Sequence, residues 1–104
     1  MFDFLLEKAN DHHFLKPLFP AHPMFIAFEF GQSIYCYQLD LEGLRRVDGN
    51  IESIDVKIIG NEEQMEELIT GQLKLQQLMK LKAVKVEGRF RDILRLESVL
   101  SLLA

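Results

Sequence analysis

The spacing of apolar residues changes once along this chain, at Gly60-Asn61, and that change limits the folds open to it. Before it, apolar side chains recur at every second position. Met24, Ile26, Phe28 and Phe30 fall on one side of an extended segment, with Phe25, Ala27 and Glu29 on the other. Gly31-Gln32 follows, a two-residue connection with glycine first, which suits a type II′ hairpin turn. Residues 33–41 alternate again. Tyr35, Tyr37, Leu39 and Leu41 share one face, and Ile34, Cys36, Gln38 and Asp40 the other. Glu42-Gly43 and Asp48-Gly49 are turn signals around a short piece over 44–47. Ile54, Val56 and Ile58 then alternate with Asp55 and Lys57, which predicts a half-buried strand.

Beyond Gly60 the period becomes helical. Asn61 is a good N-cap, Gln64 stands three residues on, and Glu62 and Glu63 suit the positive end of the helix dipole. Met65, Leu68 and Ile69 form an apolar stripe, and Gly71 can supply a left-handed stop. A short helix is predicted over 75–81 with Leu75, Leu78 and Met79 inward. A last strand is predicted over 83–88, where Val84 and Val86 alternate with Lys85 and Glu87, and a final helix over 89–103. Seven apolar residues of that helix, Phe90, Ile93, Leu94, Leu96, Val99, Leu100 and Leu103, span well over half its circumference. A helix lying on a sheet by one face needs a narrower stripe, so something besides its sheet should cover the excess: a lipid, a second subunit or the N-terminal segment. At the other end, residues 2–14 read as a helix with Phe2, Leu5, Leu6 and Ala9 on one side. Pro17, Pro20 and Pro23 then force an extended crossing, with Leu15, Leu18 and Phe19 tucked against the body.

A chain of 104 residues fits one domain, spanning 1–104, and 48% hydrophobic with 27% charged residues describes a globular one. Twelve basic against 16 acidic residues, a net charge of −4, argue against nucleic-acid binding. The charges are unevenly spread. Residues 74–95 hold seven basic side chains against two acidic ones, while Glu62, Glu63, Glu66 and Glu67 cluster. The basic stretch is either a solvated face or one turned to an anionic headgroup or phosphate. Cys36 is the only cysteine, so no intrachain disulfide forms, and its place between Tyr35 and Tyr37 suits an inert thiol. No window approaches the ~20 apolar residues that cross a bilayer, and no secretory signal is visible, so a cytoplasmic location is the expectation.

Little catalytic chemistry is visible. His12 and His13 are adjacent and would point ~100° apart on a helix, which does not serve one metal ion. His22 sits before Pro23 as loop surface. Cys36 has no local signature of a nucleophile pair, and Glu29, Asp40, Glu42, Asp48 and Asp55 form no paired-carboxylate pattern. The six glycines are isolated turn or cap positions, not a phosphate-cradling loop. The chain is therefore read as non-enzymatic, with no metal and no cofactor.

The second half of the sequence resembles a known family. Residues 54–75 read I-D-V-K-I-I-G-N-E-E-Q-M-E-E-L-I-T-G-Q-L-K-L, residues 80–90 read K-L-K-A-V-K-V-E-G-R-F, and an apolar helix follows. This is similar to the sterol-carrier-protein-2 (SCP2) sterol-binding domain family. The matching points are Gly60, Asn61, Leu68, Gly71, Leu73, Val84, Val86 and Gly88; the first half matches in the order of its elements. The resemblance implies an α+β fold with a five-stranded, mainly antiparallel sheet covered by helices. It also implies a lipid-binding or lipid-carrier domain, its apolar tunnel holding a fatty acyl chain, acyl-CoA, phospholipid or sterol. This chain is compact beside longer members, which argues against a large sterol-sized cavity.

On that reading Met65, Leu68, Ile69, Leu78, Met79, Phe90, Ile93, Leu94 and Leu100 are the candidate lining, and Lys82 and Arg89 the candidate headgroup contacts. The competing expectation is an accessory interaction module without a ligand. In it the C-terminal helix pairs with itself in a homodimer or with a larger enzyme, through a face that includes Leu96 and Val99.

Overall fold

The computed structural model describes residues 6–7, 19–48 and 53–103. Strands β1 (Met24–Phe30) and β2 (Ser33–Asp40) form the predicted hairpin, with Phe30 opposite Ser33. Gly31 has φ +61° and Gln32 has no positive φ, as a type II′ turn requires. Next, Asp40 organises the turn into β3 (Gly43–Arg46). One carboxylate oxygen accepts from the Glu42 amide at 2.9 Å, and the other takes Gln38 at 2.9 Å and Arg45 at 3.1 Å. Leu41 therefore sits in a turn, 51% exposed, instead of extending the inward stripe of β2.

Strand β4 (Val56–Gly60) joins the other side of β1 in parallel, with Ile26 opposite Val56, and β5 (Lys85–Gly88) pairs antiparallel with β4. The sheet order is β3-β2-β1-β4-β5, so a mainly antiparallel sheet has one parallel pairing at its centre.

Helix α1 (Glu62–Thr70) begins with the expected reciprocal cap: Gln64 N–H donates to Asn61 Oδ1 at 2.8 Å, and Asn61 N–H donates to Gln64 Oε1 at 2.9 Å. It stops at Gly71, φ +80°. Helix α2 (Leu75–Lys80) buries Leu75 and Leu78, but Met79 points outward and is 37% exposed. Its end is a Schellman turn, in which Ala83 N–H donates to Leu78 O at 2.9 Å and Lys82 N–H to Met79 O at 3.0 Å. The left-handed position of that turn is taken by Lys82, φ +56°, where glycine is usual.

Helix α3 (Phe90–Leu103) follows Gly88 with only Arg89 between. Gly88 has φ +146°, and a Cβ there would overlap the carbonyl oxygen of Asp55 and come within 3.2 Å of Val56 Cα. Only glycine lets the β5–α3 junction close this tightly onto β4.

The helices share one face of the sheet. Ile26, Phe28, Tyr37, Leu39, Val56 and Ile58 project from it and are 1% exposed or less, meeting Met65, Leu68, Leu75, Leu78 and Leu96. Phe28 and Tyr37 meet edge-on at 5.9 Å. Phe19 is buried as expected, and Leu6, in helical backbone with Glu7, packs half-buried against the same core. The rest of the helix predicted over 2–14, together with Leu15, Leu18 and the pair His12-His13, lies outside the described residues. The far face of the sheet carries half-buried Phe25, Cys36 and Gln38 and a Lys57–Glu29 ion pair at 3.3 Å.

Candidate functional site

Among the described residues, two regions have the chemistry of a binding site. The first is the apolar layer between sheet and helices. Six of the nine lining candidates, Met65, Leu68, Ile69, Leu78, Ile93 and Leu100, are buried there. The other three face solvent: Phe90 is 73% exposed, and Met79 and Leu94 are each 37% exposed. Among the described residues no polar or charged side chain is buried in this layer.

Among the described residues two small pockets lie in this layer. Between the sheet residues Ile26, Phe28, Leu39 and Leu44 and the helix residues Leu96, Val99 and Leu100 lies a pocket of about 10 Å³. A second, of about 40 Å³, sits where Leu68 and Leu75 approach Leu100, and Glu97 borders it. Oε2 of Glu97 is buried there without a hydrogen-bond partner.

Helix α3 presents its stripe differently from the expectation. Leu96 and Val99 are each 2% exposed and look into the sheet, so they form no outer face for a partner. The excess width is on the flank that holds Phe90 and Leu94. At 100° per residue these two lie 40° apart, whereas Leu96 is 120° further round from Phe90 in the opposite sense.

The second region is a polar cleft of about 390 Å³ beside the first turns of α3. One wall is the segment from Pro20 to Met24, including exposed His22. The other holds Arg89, Arg91, Asp92 and Arg95, with Asp55 between. Asp55 is tied to the backbone, its Oδ2 accepting from Phe25 N–H at 2.8 Å. Of the two headgroup candidates, Arg89 lines this cleft, while Lys82 occupies the α2–β5 turn. Sequence reasoning noted the basic stretch over 74–95 but did not single out Arg91 and Arg95. Their spacing, two and six residues from Arg89, was the available signal. Among the described residues no group of His, Cys, Asp and Glu could hold a metal ion.

A mixed sheet in this order with its helices on one face is the fold of a known class, and the comparisons with known proteins agree. The chain belongs to the SCP-2 sterol transfer family, matched over residues 29–101. It is 30% identical over 96 residues to the SCP2 domain-containing protein YusD of Bacillus subtilis (strain 168), a match covering 92% of this chain and 84% of that protein. Its fold is similar to that of Sterol Carrier Protein-2 like-3 from Aedes aegypti, with a TM-score of 0.67 and 15% identity over 94% of each chain. It is also similar to one part of the stereoselective inverting sec-alkylsulfatase Pisa1 from Pseudomonas sp., with a TM-score of 0.73 and 19% identity. That match covers 97% of this chain but spans only 15% of the sulfatase. At these identities the two structural likenesses concern the fold alone.

Proposed function

We propose that this domain binds and carries a lipid in the layer between its sheet and its helices, and that it is not itself an enzyme. The observation that carries the reading is membership of a family described by sterol transfer, joined to an interior whose fully buried side chains are all apolar among the described residues. Met65, Leu68, Ile69, Leu78, Ile93 and Leu100 would line the ligand, with Met79, Phe90 and Leu94 at its rim. Lys82 or Arg89 would meet a charged end.

The two small pockets among the described residues favour a slim ligand. A cavity needs about 10–15 Å³ to admit a single water, so at these two places a ligand needs the helices to shift. A slim, flexible fatty acyl chain, free or as acyl-CoA or phospholipid, meets that demand better than a rigid sterol. Burial of its surface would supply about 25 cal/mol per Å² before the costs of binding and of shifting the helices. Native mass spectrometry after gentle purification, followed by uptake of a fluorescent fatty acid, tests the proposal. A chain that carries no lipid and takes up no probe would sink it. A cytoplasmic location stays part of the same proposal, with cell fractionation as its check.

A second reading, an accessory module pairing through α3, is favoured by the exposure of Phe90 beside Leu94. Sedimentation over a wide concentration range decides it. A dimer that Phe90→Glu converts to monomer supports it, and a single monomeric species at all concentrations removes it.

A further inference from the structure

We propose that the cleft between the Pro20–Pro23 segment and the first turns of α3 is a binding site for a phosphate group, held by Arg89, Arg91 and Arg95. These guanidinium groups stand out by what they lack. Arg45 and Arg46 each bridge a carboxylate, at 3.1 and 3.5 Å, yet none of the three cleft arginines has an ion-pair partner among the described residues. Two carboxylates line the same cleft without reaching them: Asp55 is engaged by the Phe25 amide, and Asp92 sits in the first turn of α3, where the helix dipole favours it. The chain as a whole carries −4, so a concave site with three guanidinium groups unpaired among the described residues is not a by-product of composition.

Geometry selects the ligand chemistry. Each guanidinium is a planar fork matched to two oxygens, and a planar carboxylate has only two oxygens to share among three forks. A tetrahedral phosphate has enough oxygens to engage all three. The first-turn amides of α3, which have no intrahelical acceptor, add donors of the same sign. At about 390 Å³ the cleft falls in the size range of small-molecule sites. Its walls are held in place: Pro20 and Pro23 stiffen one side, and the packing of Gly88 on Asp55 locks the other.

The inference deepens the carrier reading and rests on it in one respect only, the question of which molecule presents the phosphate. The test is an NMR titration of the isotope-labelled full chain, following backbone amides and arginine Nε–H signals. Inorganic phosphate is the first probe, short-chain phosphatidic acid the second and short-chain phosphatidylcholine the third. Saturable shifts confined to residues 89–95 and 20–24 are expected. Arg91→Gln and Arg95→Gln, both at exposed positions, should each weaken binding about tenfold or more while leaving the fold intact. Phosphatidic acid binding tighter than inorganic phosphate identifies a lipid headgroup as the source, and equal affinities identify a soluble phosphate. No saturable shift with any probe, or a midpoint unchanged from the parent in both variants, overturns the site. Fatty acid uptake is measured alongside: uptake without phosphate binding removes the cleft and keeps the carrier reading, and phosphate binding without uptake does the reverse.

Discussion

Phe25 and Asp55 hold each other twice: Asp55 N–H donates to Phe25 O at 2.9 Å, and Phe25 N–H donates to Asp55 Oδ2 at 2.8 Å. The pair fastens the start of β1 to the residue before β4, at the head of the parallel pairing. Asp55→Ala leaves the part-buried Phe25 amide unpaired and should cost about 1–3 kcal/mol. Asp55→Asn keeps an acceptor and should cost less. Urea unfolding of both variants checks the order, and equal losses would show that the second bond contributes nothing.

Gly88→Ala is expected to be among the most damaging small changes. Alanine meets a positive φ and the Asp55 carbonyl together, and the obstacle is backbone, which cannot rotate away. A loss of about 2–4 kcal/mol is expected. A midpoint of denaturation close to that of the parent would contradict the close packing of β5 on β4.

Lys82→Gly should stabilise the fold. The left-handed backbone costs a lysine about 1–2 kcal/mol, and the greater freedom of unfolded glycine returns about half of that. A net gain of about 0.5–1 kcal/mol, seen as a higher midpoint in urea, is the expected outcome. If Lys82 also meets the charged end of a lipid, the same variant binds a fatty acid more weakly although it is more stable. Such opposite movements would be hard to produce by a purely structural role.

The two flanks of α3 should respond differently. Leu96→Ala opens a hole against the sheet and is expected to cost about 2–5 kcal/mol. Phe90→Ser, at a position 73% exposed, should stay within about 0.5 kcal/mol of the parent. Leu96→Glu would then unfold the domain and not merely alter its association state, as circular dichroism would reveal.

Glu97→Met should stabilise by about 1 kcal/mol, because it replaces a carboxylate oxygen that is buried without a partner by a flexible apolar side chain. Thermal unfolding is sufficient to check this, and a loss would point to a contribution from the other carboxylate oxygen.

Local chemistry explains which elements could be read from the sequence. The β1–β2 hairpin was legible because Gly31-Gln32 sets its own turn. Helix α1 was legible because Asn61, Gln64 and Gly71 fix both of its ends within a few residues. The parallel seating of β4 was not, since the partner of Ile26 is chosen by packing that no short window contains. The same limit applies to α3. Its apolar residues were visible, but only the docked sheet decides that Leu96 and Val99 go inward while Phe90 and Leu94 remain outside. The cleft was half legible: the basic stretch shows in the sequence, whereas its opposite wall comes from the distant Pro20–Pro23 segment.

Both outermost strands, β3 and β5, are only four residues long, and they carry exposed Arg45 and Arg46 on one border and Lys85 on the other. Short, charged borders make poor templates for strand addition. The sheet is thereby discouraged from growing by recruiting a neighbour's backbone. A concentrated solution of this domain should accordingly resist fibril formation.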